Sequence, residues 1–195
     1  MKKKWATSIA VVALLAAALV GYRLATWEVA TVHADYPTIT TLEELTRQAT
    51  VIVVGTVEEV AGTRNTARDP LDPQKPHPSL EIVSVDYQVR VEEVLKGAAP
   101  AQLLVTQAKS AAPKGESHVL FEGFKDLAVG QRYLLFLRQT TDGSERWIGI
   151  AEPWRFALLN DRIIVESRWE HATSYFPAAN ANEFLTQVRS YISAN

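Results

Sequence analysis

Hydrophobic and polar positions follow more than one period along the chain. Val83, Val85, Tyr87, Val89 and Val91 are apolar, and Ser84, Asp86, Gln88, Arg90 and Glu92 are the polar residues that alternate with them. A period of two predicts a strand with one buried and one wet face. The alternation slips at Glu92-Glu93 before resuming with Val94, which predicts a β-bulge in a long, curved strand. Two stretches are apolar at consecutive positions, VIVV at 51–54 and YLLFL at 133–137, and predict strands covered on both faces. Gly55 after the first marks a bend or bulge. Shorter strands are expected at 101–107, after the turn at Lys96-Gly97, and at 146–151, after Asp142-Gly143. A hairpin is expected over 155–166, turning at Asn160-Asp161.

Helical spacing occurs twice. Thr41 stands as an N-cap with Glu44 three residues on, followed by Leu42, Leu45 and Ala49 on one face. Asn180 and Glu183 repeat the capping spacing before Phe184, Leu185, Val188, Tyr191 and Ile192, which predicts an amphipathic terminal helix. Residues 62–79 carry Pro70, Pro73, Pro76 and Pro78, too many for a sheet or helix, and read as a long loop.

At the start, Lys2, Lys3 and Lys4 precede an uncharged run from Trp5 to Tyr22 that Arg23 interrupts. As a helix this run rises about 27 Å, close to the hydrocarbon thickness of a bilayer. Cutting after Ala25 or Ala30 puts Arg23 or Glu28 where a small residue is wanted, and Val32-His33-Ala34 lies far past the apolar run. Trp5, Tyr22 and Trp27 bracket the segment like an aromatic belt. Residues 1–30 are therefore expected to be an uncleaved membrane anchor with its N-terminus in the cytoplasm, 31–50 a tether and short helix, and 51–195 a domain outside the membrane. Cleavage of the segment would make the protein secreted.

Together these elements predict a mostly β fold: an OB-like antiparallel barrel with an additional C-terminal hairpin and a terminal α-helix, preceded by an N-terminal membrane helix. At VIVVGTVEEV, YQVRVEEVLKG and GQRYLLFL, the chain resembles exported bacterial domains similar to the inhibitory barrel of tissue inhibitors of metalloproteinases and to netrin-like modules. The resemblance covers about 50–151 and implies an extracellular binding or inhibitory module without chemistry of its own. The animal inhibitors chelate the protease zinc through a disulfide-held N-terminal cysteine. This chain has no cysteine, so that mechanism is not carried over.

The same absence removes disulfides, thiolate metal sites, thiol nucleophiles and cysteine lipidation. A net charge of -2 with scattered Lys and Arg offers no field for phosphate backbones, so nucleic acid is not an expected partner. The four histidines, His33, His77, His118 and His171, lie in separate segments without metal-ligand spacing, and no cofactor is expected. No nucleophile elbow or nucleotide-binding glycine pattern occurs, so no catalytic residues are assigned and the chain is expected not to be an enzyme. The candidates for partner binding are Arg68, Asp69, Asp72, Lys75 and His77 in the Pro-rich segment, which is extended before any partner arrives. Trp154 and Trp169, just outside the predicted strands, are expected at the surface. The partner is either a protein or an envelope glycan bound on exposed Trp residues. A structural domain without a specific ligand is the third reading.

Overall fold

The computed structural model describes residues 31–32 and 37–194. The expected membrane helix lies outside these residues. Among the described residues no helix is long and apolar enough to cross a membrane.

The fold is mostly β, one large mixed sheet built on a pair of long strands, β2 (Val51–Asn65) and β5 (Leu80–Lys96). They are antiparallel, and their register shifts four times, at 52/53, 54/55, 57/59 and 60/62. The shift at 54/55 leaves Glu92 unopposed, so the bulge expected at Glu92-Glu93 is present. Bulges add twist and bend the strand that carries them. Gly55 permits the bend: a Cβ there would stand 2.7 Å from the Arg90 carbonyl oxygen. The pair coils, and its neighbours follow. β6 (Gln102–Pro113) pairs with β5, and β8 (Arg132–Gln139) pairs with β2. The short β9 (Trp147–Gly149) bonds to both, parallel to β6 and antiparallel to β8. The five strands thus form a partly closed ring.

Beyond the ring, β8 also pairs with β10 (Arg155–Leu159), which forms a hairpin with β11 (Arg162–Glu166) and then β12 (Ala179–Asn180). Asn160 at the expected hairpin turn has φ 56°, a conformation that Asn tolerates better than most residues. On the other flank, β7 (Val119–Phe121) pairs with β6, and β1 (Thr31–Val32) lies parallel to β7. The helices are α1 (Leu42–Gln48), α2 (Ala172–Tyr175) and α3 (Ala181–Ser193). Thr41 Oγ1 accepts from the Glu44 amide, and Asn180 Oδ1 accepts from the Asn182 and Glu183 amides, so both expected caps are made.

Two apolar cores explain the strands that read as apolar on both faces. Val51, Val53, Tyr133, Leu135 and Leu137 point into the ring with Val85, Tyr87, Val89 and Val105. Their neighbours Ile52, Val54, Leu134 and Phe136 point the other way, under Leu45 of α1 and Phe184 and Val188 of α3. Phe156 joins this second core at 5.7 Å from Phe136 and 5.2 Å from Phe184, ring centre to ring centre.

The structure corrects two sequence expectations. Residues 62–65 are strand, and two of the four prolines that argued against a sheet, Pro73 and Pro76, sit in a small two-stranded one, β3 (Arg68–Asp69) with β4 (Asp72–Pro76), while Pro70 is in its turn and Pro78 follows it. An isolated pair tolerates proline because few of its amides need a ladder partner. The face of β5 expected to be wet is not wet throughout. Ser84 and Asp86 are 1% and 5% exposed, because the β8–β9 turn and the β3–β4 hairpin fold over that end.

Val89 is completely buried and Gln88 is not. Val89→Asp should cost about 3 kcal/mol or more by burying an unpaired carboxylate, whereas Gln88→Asp should cost less than about 1 kcal/mol. Urea unfolding followed by circular dichroism measures both, and equal losses would refute the register.

Candidate functional site

The β3–β4 hairpin and the end of the ring beneath it enclose the cavity of interest, about 390 Å³ in volume. The hairpin is stiffened from within. Asp69 Oδ1 accepts from the Leu71 amide at 2.8 Å, Asp72 Oδ1 from the Gln74 amide at 3.2 Å, and His77 Nδ1 from the Ser79 amide at 3.2 Å. Lys75 Nζ lies 2.8 Å from Asp72, an exposed pair that adds little stability. The hairpin is also fastened at its base, where Asn65 Oδ1 accepts from the Ala67 and Ile82 amides. Leu71, at its tip, is 95% exposed.

Below the hairpin lies a network of charges. Asp86 on β5 accepts from Arg64 Nε at 3.0 Å, from Arg146 Nε at 2.9 Å and from Thr106 Oγ1 at 2.5 Å. Asp142 in the β8–β9 turn accepts from Arg64 Nη1 at 3.4 Å and from Arg68 Nη2 at 3.2 Å. Arg64 therefore links the two carboxylates, and Arg68 ties the hairpin to the turn. Gln74 also reaches that turn: a Cβ added at Gly143 would stand 3.6 Å from its Nε2. Burial is the largest influence on the Asp142 carboxyl and pushes its pKa up. Hydrogen bonds from Ser144 and Thr140 and the charge of Arg64 together outweigh burial and hold the pKa well below its ordinary value. Asp142 is thus an anion at neutral pH and has no proton to give.

On the opposite wall, Glu152 accepts from Ser167 Oγ at 2.6 Å and from Arg168 Nε at 3.0 Å. Gln107 borders the cavity and passes its contact backwards, its Oε1 accepting from Arg155 Nη1 at 3.0 Å. Arg155 is almost completely buried. Burial, the main influence, lowers its pKa, and the charge of Glu166, 3.7 Å away, opposes that shift. Among the described residues no group of three or more His, Asp or Glu side chains is arranged to hold a metal ion.

The sequence candidates divide between the hairpin, the cavity and a separate surface. Arg68 borders the cavity, while Asp69, Asp72, Lys75 and His77 shape the hairpin above it. Trp154, expected at the surface, is 5% exposed and is one of the residues that border the cavity. One part of its indole is pressed against Gly149, where a Cβ would stand 2.3 Å from its Cγ, and the Arg155 guanidinium lies 5.4 Å from the ring. The segment leading into β10 runs inside the fold rather than over it. Trp169 is elsewhere, partly buried against the helical core and stacked on Tyr175 at 5.1 Å. Sequence reading missed Arg64, Asp86, Asp142, Arg146 and Glu152. Asp86 occupies a polar position of an alternating strand, and Asp142 reads as a turn former. The one available signal was Arg64 and Arg68 beside a Pro-rich stretch.

No known protein family matches the chain, and neither does any curated protein.

A carboxylate whose pKa falls on folding contributes stability above its unfolded value, here 3.8, and loses it as pH drops through the folded value. Unfolding free energy should therefore fall below about pH 5, with Asp142 among the groups responsible. Asp142→Asn should lower stability at pH 7 by about 1 to 3 kcal/mol and flatten the acid limb, as measured by urea midpoints from pH 2 to pH 7.

Proposed function

We propose that this chain is a non-catalytic binding module, held outside the membrane by residues 5–27, that engages a protein partner through the β3–β4 hairpin. The observation that carries this reading is Leu71. A 95% exposed leucine sits at the tip of a hairpin held by side-chain turns at Asp69 and Asp72, by prolines and by the Arg68–Asp142 pair. A flexible loop loses entropy when it docks, and one already ordered loses much less. The partner is expected to offer an apolar socket for Leu71 with donors at its rim for Asp69 and Asp72.

The fold supports an OB-like barrel as the scaffold of the module. Along the chain the ring strands come in the order β2, β5, β6, β8, β9, but they pair in the order β2, β5, β6, β9, β8. A five-stranded ring with such an out-of-order return has the outline of an OB-type barrel. The resemblance to the inhibitory barrel of the metalloproteinase inhibitors and to netrin-like modules rests on the same strands. It agrees with a role in binding proteins. The alternative, an envelope glycan bound on Trp residues, has less behind it, since Trp154 is covered and Trp169 is stacked on Tyr175.

A photocrosslinking residue at Gln74 should give one discrete protein adduct in intact cells, and Leu71→Asp should abolish it without changing thermal unfolding. The same crosslinker at Leu159, exposed on the β10–β11 turn, should give none. An adduct from position 159 that survives Leu71→Asp would move the interface away from the hairpin.

A further inference from the structure

The cavity has more positive than negative groups in its walls. Arg64, Arg68, Arg138 and Arg168 border it, and Arg146 joins them through Asp86. Among the described residues three carboxylates answer them: Asp86 pairs with Arg64 and Arg146, Asp142 with Arg64 and Arg68, and Glu152 with Arg168. Behind the wall, Arg155 has its own counter-charge in Glu166. Arg138, next to the end of β8, makes no ion pair among the described residues and lies exposed at the rim. Among the described residues, five guanidinium groups against three carboxylates leave an excess of positive charge around a partly enclosed space, where water screens it poorly.

The rest of the lining is not that of a simple ion site. Ile82, Ile148, Ile150 and Trp154 give the lining an apolar part, with Thr66, Thr106 and Thr140 also bordering the cavity. The volume falls at the lower end of the range of about 300 to 1,000 Å³ usual for small-molecule sites. We propose that this cavity binds a small organic dianion, one acidic group meeting Arg138 at the rim and the carbon chain lying along Ile148 and Ile150. The site is separate from the Leu71 tip, and the proposal stands whether or not the hairpin engages a protein.

Adipate, a six-carbon dicarboxylate, is a suitable probe, with 1,6-hexanediol as its uncharged counterpart and inorganic phosphate as a compact anion. Saturation-transfer NMR on the full chain should show signal on the adipate methylenes and none on the diol at equal concentration. Arg138→Gln should weaken adipate about tenfold, the loss of one charge-assisted contact. Arg189→Gln, remote on α3 and paired with Glu93, should leave binding unchanged and so control for bulk charge. Among the described residues the Arg138 side chain holds no other group in place, so its replacement should leave the circular dichroism spectrum and melting temperature as they were. Equal transfer to the diol, displacement of adipate by phosphate at matched concentration, or unaltered affinity in Arg138→Gln would each overturn the proposal. So would an absence of transfer to adipate.

Discussion

The bulged pairing of β2 with β5 is the constraint on which the other elements depend. Two strands of 15 and 17 residues in regular register would make a long, gently twisted ribbon. Four register shifts concentrate the twist, and Gly55 lets the backbones approach where a side chain would collide with the Arg90 carbonyl. Only a strongly coiled pair can bring β6 and β8, on its opposite sides, near enough for the three residues of β9 to bond to both. The partly closed ring has an interior that must be filled, which is why the first residues of β2, 51–54, and the middle of β8 are apolar on both faces. One face packs inside the ring and the other beneath α1, α3 and the β10–β11 hairpin.

The long pair also overshoots the ring, and the site is built on the overshoot. Past Val57 on β2 and before Tyr87 on β5, the two strands continue, with β6 still paired to β5, as a ribbon that carries Arg64, Ser84 and Asp86 and ends in the β3–β4 hairpin. The β8–β9 turn and the β3–β4 hairpin roof this ribbon, and ion pairs hold them there. Such pairs specify geometry more surely than they add stability, because each charge loses water when it is covered. Arg64, bonded to Asp86 and Asp142 at once, fixes the turn against the ribbon, and Arg68 fixes the hairpin to the same carboxylate. The hairpin thus stands on a charged joint that braces it against the β8–β9 turn.

What was legible in the sequence follows this division. Period-two alternation in β5, the bulge at Glu92-Glu93, the two-faced strands and both helix caps were readable, because each rests on neighbours within a few positions. The strand content of residues 62–76 was not, since prolines speak against a ladder and nothing local shows that the partner is an equally short strand. The charged network was hidden for a related reason. Asp86 has the polar signature of a solvated position, and what buries it arrives from residues 140–146, more than fifty positions away. Trp154 failed in the opposite sense. Lying outside any strand suggested exposure, but Gly149 clears room for its indole inside the fold.

Exposed hydrophobic residues are common, and most carry no message. Val60, Val129 and Leu159 are each more than two-fifths exposed, yet they are scattered singly over separate elements. Leu71 differs in its mounting rather than in its chemistry. Burying one leucine is worth about 1.5 to 3 kcal/mol, roughly ten- to a hundredfold in affinity, and a mobile tip would forfeit much of that to ordering. Fixed by the Asp69 and Asp72 turns and anchored through Arg68, the tip keeps most of it. A single anchor of that size cannot sustain a stable complex, so the proposed partner must also meet the flanks of the hairpin. Those flanks carry charges of both signs at Asp69, Asp72 and Lys75, which favours a partner surface of mixed charge over one uniformly acidic or basic.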